Sequence, residues 1–527
     1  MTIKTARPAL EERGWRMPVP GWVILALTAV LSLLWSAQKL LEQDEIFSLQ
    51  TDRVRSLAEV FRIQRHYPIS LEPPPYHVLA HAAIELFGAN AFALRLPAFA
   101  GFLAMQACLF YFVRRLAGER AGLIAMLFPA LTSTLYFSAE GRPYGVLLGC
   151  YAAVALCWQT AARRKVESEP RIWPLIGLAG VLALTLNVHF YGVLLLIPLC
   201  GAELVRELSR RRTGQGLDWP MLAAIGLGLT SLIAVVPYAR SSSEFKKHYY
   251  AGNISAHMLT QPYRQMILDY THFPHVLQTL LMLLIVLCGM LLAWGCARAL
   301  RANAVDVLPA EAVLLGLLVL MPVFAYVLGK AVTHALEVRH SLGAIVAISA
   351  LVGVALAPVL RNTRVFVALL AGMLVLLVVI GAVHIRASGA ERRLALRQMN
   401  LTPSQVATVD ETADRNIYFQ DLGQWEAASF YEPDAALRQR LVLVYSRAEE
   451  MGRQQHDTMF LTATHTRQFD PAPIVSYDQL RREPGEHTFV VFHGGWSWTD
   501  AAFAQEAEQV EPLGHAFGGD LVQVRFR

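Results

Sequence analysis

Three acidic residues and two arginines carry the chemistry this sequence offers. Asp44 and Glu45 follow directly on the first long apolar stretch, at the depth where lipid headgroups meet water. A carboxylate held there and partly dehydrated can accept a proton from an attacking hydroxyl; it can equally be the solvated end of a helix. Glu140 and Arg142 stand in the run Ser138-Ala139-Glu140-Gly141-Arg142-Pro143-Tyr144, a very short connection between apolar stretches. A structural ion pair is one reading. The other is an anion held by Arg142, because an arginine there runs against the charge bias of the outer connections described below. Arg339, followed by His340, repeats that exception at the mouth of a late apolar stretch, with Lys330 earlier in the same connection. Snorkelling accounts for any one of these taken alone.

Other groups surround these. Glu72 precedes Pro73, Pro74 and Pro75, where a negative charge suits a helix N-terminus. His77 and His81 lie four apart with Glu85 a turn further on, a spacing compatible with a divalent metal but common by chance. Lys246 and Lys247 stand beside His248, Tyr249 and Tyr250, and His189 and Tyr191 close the run Asn187-Val188-His189-Phe190-Tyr191; both groups suit an interfacial aromatic belt as well as a site. Carboxylates near cations, all bordering a bilayer, suit a substrate with a phosphate head and a lipid tail.

The elements that must position these groups are membrane helices. Of 527 residues 55% are hydrophobic and only 17% charged, more apolar surface than a soluble core of this size readily hides. A span needs roughly 20 apolar residues. Such stretches occur near 21–40, 91–113, 119–137, 142–161, 172–188, 190–205, 218–237, 275–297, 308–329, 340–360 and 365–385. The first is long for a secretory signal and lacks a small-x-small cleavage site, so it reads as a retained anchor.

Basic residues resist translocation and set the orientation. Lys4, Arg7, Arg13 and Arg16, then Arg114, Arg115 and Arg120, Arg163 to Lys165, Arg206 and Arg210 to Arg212, Arg298 and Arg301, and Arg361 and Arg364 fill alternate connections. The N-terminus is therefore expected inside the cell and the C-terminal part outside. The outer connections 41–90 and 238–274 are long. Within the first, Val54, Leu57, Ala58 and Phe61 recur at helical spacing opposite Arg53, Arg55, Arg62 and Arg65, which predicts a helix lying in the interface. The triple proline then starts a short helix running to Phe87.

After about residue 386 charges rise and long apolar runs vanish. Short β-rich stretches at 417–419, 441–445, 488–492 and 521–526, with helical segments near 424–431 and 499–509, predict a small α/β domain. The expected division is thus a membrane domain over 1–386 and an extracytoplasmic α/β domain over 387–527. All six cysteines lie in apolar runs, which argues against a disulfide framework. The net charge of +5 is dispersed in clusters between spans, which argues against a nucleic-acid partner.

The order of motifs is a familiar one. An Asp-Glu pair follows the first span, an acidic residue precedes a Pro-Pro-Tyr helix, Phe-Gly-x-x-x-Phe-Ala-Leu-Arg-Leu-Pro stands at 87–97, a Glu-x-Arg-x-Tyr connection follows, and an arginine opens a late span. The chain resembles the GT-C glycosyltransferases, specifically glycosyltransferase family 39 and its bacterial relatives such as the aminoarabinose transferases of lipid A and the protein O-mannosyltransferases. The likeness is strongest over 20–192 and rests beyond that mainly on Arg339. It implies a GT-C-type polytopic protein of the bacterial inner membrane with its soluble domain in the periplasm. It also implies an inverting transferase that takes a sugar from a polyprenyl-phosphate donor and passes it to a hydroxyl or phosphate of an envelope lipid, glycan or protein.

By this resemblance Asp44 falls at the family's interfacial catalytic aspartate, with Glu45 its neighbour and Glu140 the second acidic position. Arg142, Tyr144 and Arg339 fall where the lipid phosphate is handled; from their own chemistry His340, Lys246 and Lys247 are further candidates for the phosphate, and Glu72, Tyr76, His189 and Tyr191 for the substrate pocket. Gly141 stands where alanine is usual, and His340 where a tyrosine often follows the arginine. A leaving monophosphate can be met by fixed cations, so no obligatory cofactor or metal is expected, while a divalent ion stays conceivable. Two other readings remain. One is a flippase or transporter, which would tend to keep ionisable groups near the midplane rather than at one face. The other is a non-catalytic glycan-binding protein working through its C-terminal domain.

Overall fold

The structure, a computed structural model, describes residues 15–249, 254–268, 308–399, 405, 416–493 and 497–527. It is a polytopic α-helical membrane protein with a C-terminal α/β domain. Five described helices are long and apolar enough to cross a bilayer: Val19–Gln38 (α1), Ala91–Ala117, Tyr144–Val166, Trp219–Lys247 and Thr363–Met399. A further apolar helix pair, Pro309–Val319 and Met321–Thr333, is long enough together to count as a sixth and is bent by 52° at its junction. Pro322, in the first turn after the bend, has no amide hydrogen to continue the preceding ladder.

The remaining expected spans take other forms. The stretch 119–137 begins as a nine-residue helix, Glu119–Leu127, and tightens at Pro129 into 3-10 turns over Phe128–Leu131 and Ser133–Ser138. Ile172–Val188 and Leu196–Arg212 are helices of 17 residues each, separated at extended His189, whose Nδ1 accepts from the Tyr191 amide at 3.1 Å. The expected span at 275–297 lies outside the described residues.

Three helices crowd the first outer connection: Gln43–Asp52 (α2), Leu57–His66 (α3) and Pro74–Phe87 (α4). Ser56 caps α3 by accepting from the Glu59 amide. Val60 and Ile63 are buried, while Leu57 and Phe61 are left 41% exposed. The helix therefore has an apolar side against the protein and a second available to the interface, as an interfacial helix needs.

The span Ala91–Ala117 (α5) crosses Tyr144–Val166 (α7, after α6 at Glu119–Leu127) at backbone contact. A Cβ on Gly101 would come 2.5 Å from the Gly145 carbonyl oxygen, and one on Gly149 would come 2.5 Å from that of Gly101. Small residues at this crossing replace side-chain packing with close backbone approach, the usual solution where lipid supplies no hydrophobic drive. The crossing fixes the connection carrying Glu140 and Arg142 over the head of α2.

The C-terminal sheet has the order β3-β2-β1-β4-β6-β5, with β1 at Ile417–Phe419, β2 at Leu441–Tyr445, β3 at Ile474–Ser476, β4 at Glu486–Val491, β5 at Ala507–Ala516 and β6 at Gly519–Phe526. β1 to β4 pair in parallel and β6 runs antiparallel to β4, forming a hairpin with β5. β3 and β5 go beyond the expected strands. β5 is a bulged edge strand containing Pro512, largely exposed, and so lacks the hydrophobic alternation that marks a half-buried strand. The helix expected over 499–509 accordingly ends at Glu506.

One face of this sheet, with Phe419, Leu443 and Val490, packs with Phe47 and Ile69 of the membrane part. Leu422–Tyr431 bridges the two, and the Tyr431 hydroxyl accepts from the Leu41 amide at 2.7 Å. Thr363–Met399 runs unbroken through the expected boundary at 386/387.

Candidate active site

The site is built on a buried ion pair. Arg95, inside α5, reaches Glu45 with both arms, Nε to Oε1 at 2.7 Å and Nη2 to Oε2 at 2.8 Å. Its remaining hydrogens go to carbonyls at the end of α1: Ser36 at 2.7 Å, Lys39 at 3.1 Å and Leu40 at 2.9 Å. Glu45 also accepts from the Gly141 amide at 2.5 Å and Lys39 Nζ at 3.2 Å. Burial alone would raise the Glu45 pKa, but Lys39 and Arg95 hold it down at about 2. A Cβ on Gly141 would sit 2.7 Å from Leu94 Cγ and 3.1 Å from Glu45 Oε1, so the departure from alanine serves this contact.

Asp44, one residue earlier, points the other way. Its Oδ2 accepts from Arg339 Nη1 at 3.1 Å and lies 3.7 Å from Arg142 Nη2. Its side chain is 34% exposed, against none for Glu45. Arg142 is buried, donates to the Asp44 carbonyl at 3.1 Å, and pairs with Glu72 behind it. Ser70 also donates to Glu72. The chain continues inward through His77, whose Nδ1 is 2.7 Å from Asp52 Oδ1 and whose Nε2 is 3.8 Å from Glu72. Burial opposes charge on His77, yet Asp52 and Glu72 outweigh it and raise the pKa to about 9. Arg339 also lies over the Tyr144 ring, 5.5 Å from its centroid.

Two cavities meet at Arg339. The larger, about 690 Å³, has Trp35, Tyr136, Met258 and Leu342 among its walls with Lys39, Glu140 and Arg392. The smaller, about 310 Å³, contains Asp44, Arg142 and Arg339 on one side and Asp421, Thr458 and Thr462 of the C-terminal domain on the other. Glu140 is buried, and its Oε2 has no hydrogen-bond partner among the described residues. Burial, only partly offset by Lys39 and Arg339, raises its pKa to about 8.

Residues 72–238 match the family model of dolichyl-phosphate-mannose-protein mannosyltransferase. The solved structure of ArnT from Cupriavidus metallidurans bound to undecaprenyl phosphate aligns over 96% of this chain and 98% of its own, at 16% identity and a TM-score of 0.55. The apo form of that protein aligns over 95% and 98%, at 16% identity and 0.54. At that identity the likeness shows a shared fold. No curated protein sequence matches it.

Within this fold the candidates separate into groups. Asp44, Arg142 and Arg339 share the smaller cavity, and Glu140 and Arg339 the larger. Glu45, expected beside Asp44 as a base, is sealed by Arg95 and serves to position α2. Tyr76, expected in the pocket, is wholly buried where α4 meets α5, its hydroxyl donating to the Leu94 carbonyl at 3.2 Å. Tyr191 and His340 stack at 4.0 Å, and His340 Nδ1 accepts from the Glu337 amide at 3.0 Å. With His189, 5.4 Å from Tyr144, they back the arginine rather than line either cavity. Lys246 and Lys247 also line neither; their neighbours Phe245 and Tyr249 do. His77 and His81 both direct Nδ1 at Asp52, at 2.7 and 2.8 Å, and among the described residues no three His, Cys, Asp or Glu side chains gather as a metal site.

Arg95 and Lys39 are the residues whose roles the sequence did not reveal. Arg95 lay within a recognised motif, and its signal was a charge inside an otherwise apolar helix, which requires a buried partner.

Proposed function

We propose that this protein is an inverting transferase that moves a sugar from a polyprenyl-phosphate donor to an acceptor of the bacterial cell envelope at the outer face of the inner membrane. Asp44 carries the reading. Of the three candidate carboxylates it alone is both partly exposed and in contact with two arginines, where the two cavities meet. The acceptor hydroxyl loses its proton to Asp44 as its oxygen bonds to the anomeric carbon, while the bond from that carbon to the phosphate oxygen breaks and polyprenyl phosphate departs. Arg339 and Arg142 meet the charge growing on the leaving phosphate. The aromatic and apolar walls of the larger cavity suit the first isoprene units, and ArnT, the structural neighbour, was solved with undecaprenyl phosphate. The basic connections argue for an inner N-terminus and a periplasmic C-terminal domain.

The test is Asp44→Asn in the full-length protein. The variant should insert and melt as the wild type does, yet lose sugar transfer by roughly 10²–10⁴-fold. Near-normal turnover would remove Asp44 from this role.

A further inference from the structure

The smaller cavity is closed by the C-terminal domain. Its far wall is lined by Asp421, Gln420, Thr458, Met459 and Thr462, whose hydroxyl donates to the Thr458 carbonyl at 2.9 Å, with Phe245 and Tyr249 at the side. Asp421 caps its helix through Oδ1, which accepts from the Gln424 amide at 2.9 Å. Carboxylate, amide and hydroxyls facing apolar and aromatic groups make a surface suited to sugar hydroxyls and C–H faces.

Charge narrows the choice further. The ionised lining comprises Asp44 and Asp421 against Arg142 and Arg339, already balanced, and Arg142 is paired with Glu72 as well. The domain wall brings no cation. An acceptor bearing its own phosphate would set that charge against two carboxylates, whereas a neutral hydroxyl meets no such cost.

We infer that the C-terminal domain forms the acceptor subsite, and that the acceptor is an uncharged sugar unit modified on a hydroxyl, held by Asp421 and Thr462 opposite Asp44. This rests on the reading of Asp44 as the base. The domain is then part of the specificity apparatus, which gives it a reason to be docked on α2.

The test uses full-length protein, with Asp421→Asn, which retains helix capping, and Thr462→Val as separate variants. Cells lacking the gene receive each variant, and envelope glycans are compared by tandem mass spectrometry. Product should fall about 10- to 100-fold, as for a lost buried hydrogen bond to a charged group. Undecaprenyl phosphate binding to the purified protein in nanodiscs, and slow hydrolysis of the extracted lipid-linked donor by water, should stay at wild-type level. The added mass should map to a sugar hydroxyl. Undiminished product in both variants, a parallel loss of donor hydrolysis or undecaprenyl phosphate binding, or a linkage to phosphate or an amino-acid side chain would each overturn the subsite. If Asp44→Asn still makes product, it is the parent reading that fails, whatever Asp421→Asn does.

Discussion

Neighbouring carboxylates differ here because of what they touch. Asp44 and Glu45 are adjacent in the first turn of α2, yet one faces a cavity and the other is enclosed by Arg95, Lys39 and Gly141. Replacing Arg339 by Gln should lower turnover by roughly 10²–10³-fold, the usual cost of one preorganised charge donor, while leaving the fold intact; steady-state kinetics with lipid-linked donor would reveal it. With two fixed guanidiniums in the proposed role of meeting the phosphate, transfer should persist in EDTA, and its abolition with recovery on adding a divalent ion would refute that assignment. Glu140 offers a pH test. Its folded pKa of about 8 exceeds the unfolded value near 4.5, so its contribution to stability is complete below 4.5 and is lost as pH rises through 8. Glu140→Gln should flatten the fall in melting temperature across that window.

At the scale of elements, the decisive object is the buried clamp of Arg95 on the end of α1 and the start of α2. Removing one partner of such a pair leaves an uncompensated charge. Arg95→Met should therefore cost about 3–5 kcal/mol, and the Glu45→Gln, Arg95→Met double variant less than the sum of the two changes. Thermal unfolding in detergent measures both. The sequence marked α1, α4, α5, α7 and Thr363–Met399 well, because each is a long apolar run or begins at a proline. It marked broken spans poorly. Hydropathy averages over a window and registers 119–137 as one span, whereas Pro129 and the local hydroxyl bonds of Thr132 and Thr134 turn its second half into 3-10 geometry.

For the molecule as a whole, the proposed site draws on two parts that the sequence separates. The sheet domain meets the membrane part through Phe47 and Ile69, the Tyr431 bond to Leu41, and His465, whose Nδ1 is 2.9 Å from the Pro68 carbonyl. Tyr431→Phe leaves the Leu41 amide without its partner and should weaken docking by about 1 kcal/mol. Faster hydrogen exchange confined to 41–45 and the Leu422–Tyr431 helix would report it; unchanged exchange there would show that the apolar contacts hold the domain alone.

The sequence by itself determined that this is a membrane protein with its ionisable groups collected at one face, and it singled out Asp44, Arg142 and Arg339. Those are properties of type and spacing: apolar length fixes a span, and a charge at its mouth is visible without coordinates. Tertiary structure decided which charges face a cavity. Tyr76, His340 and the Lys246-Lys247 pair have the right chemistry at plausible places, but helix rotation and packing aim them elsewhere. The wall containing Asp421 and Thr462 stands more than 370 positions from Asp44. Only folding brings such distant groups together, because side-chain direction depends on the packing of whole helices and sheets, which no local pattern encodes.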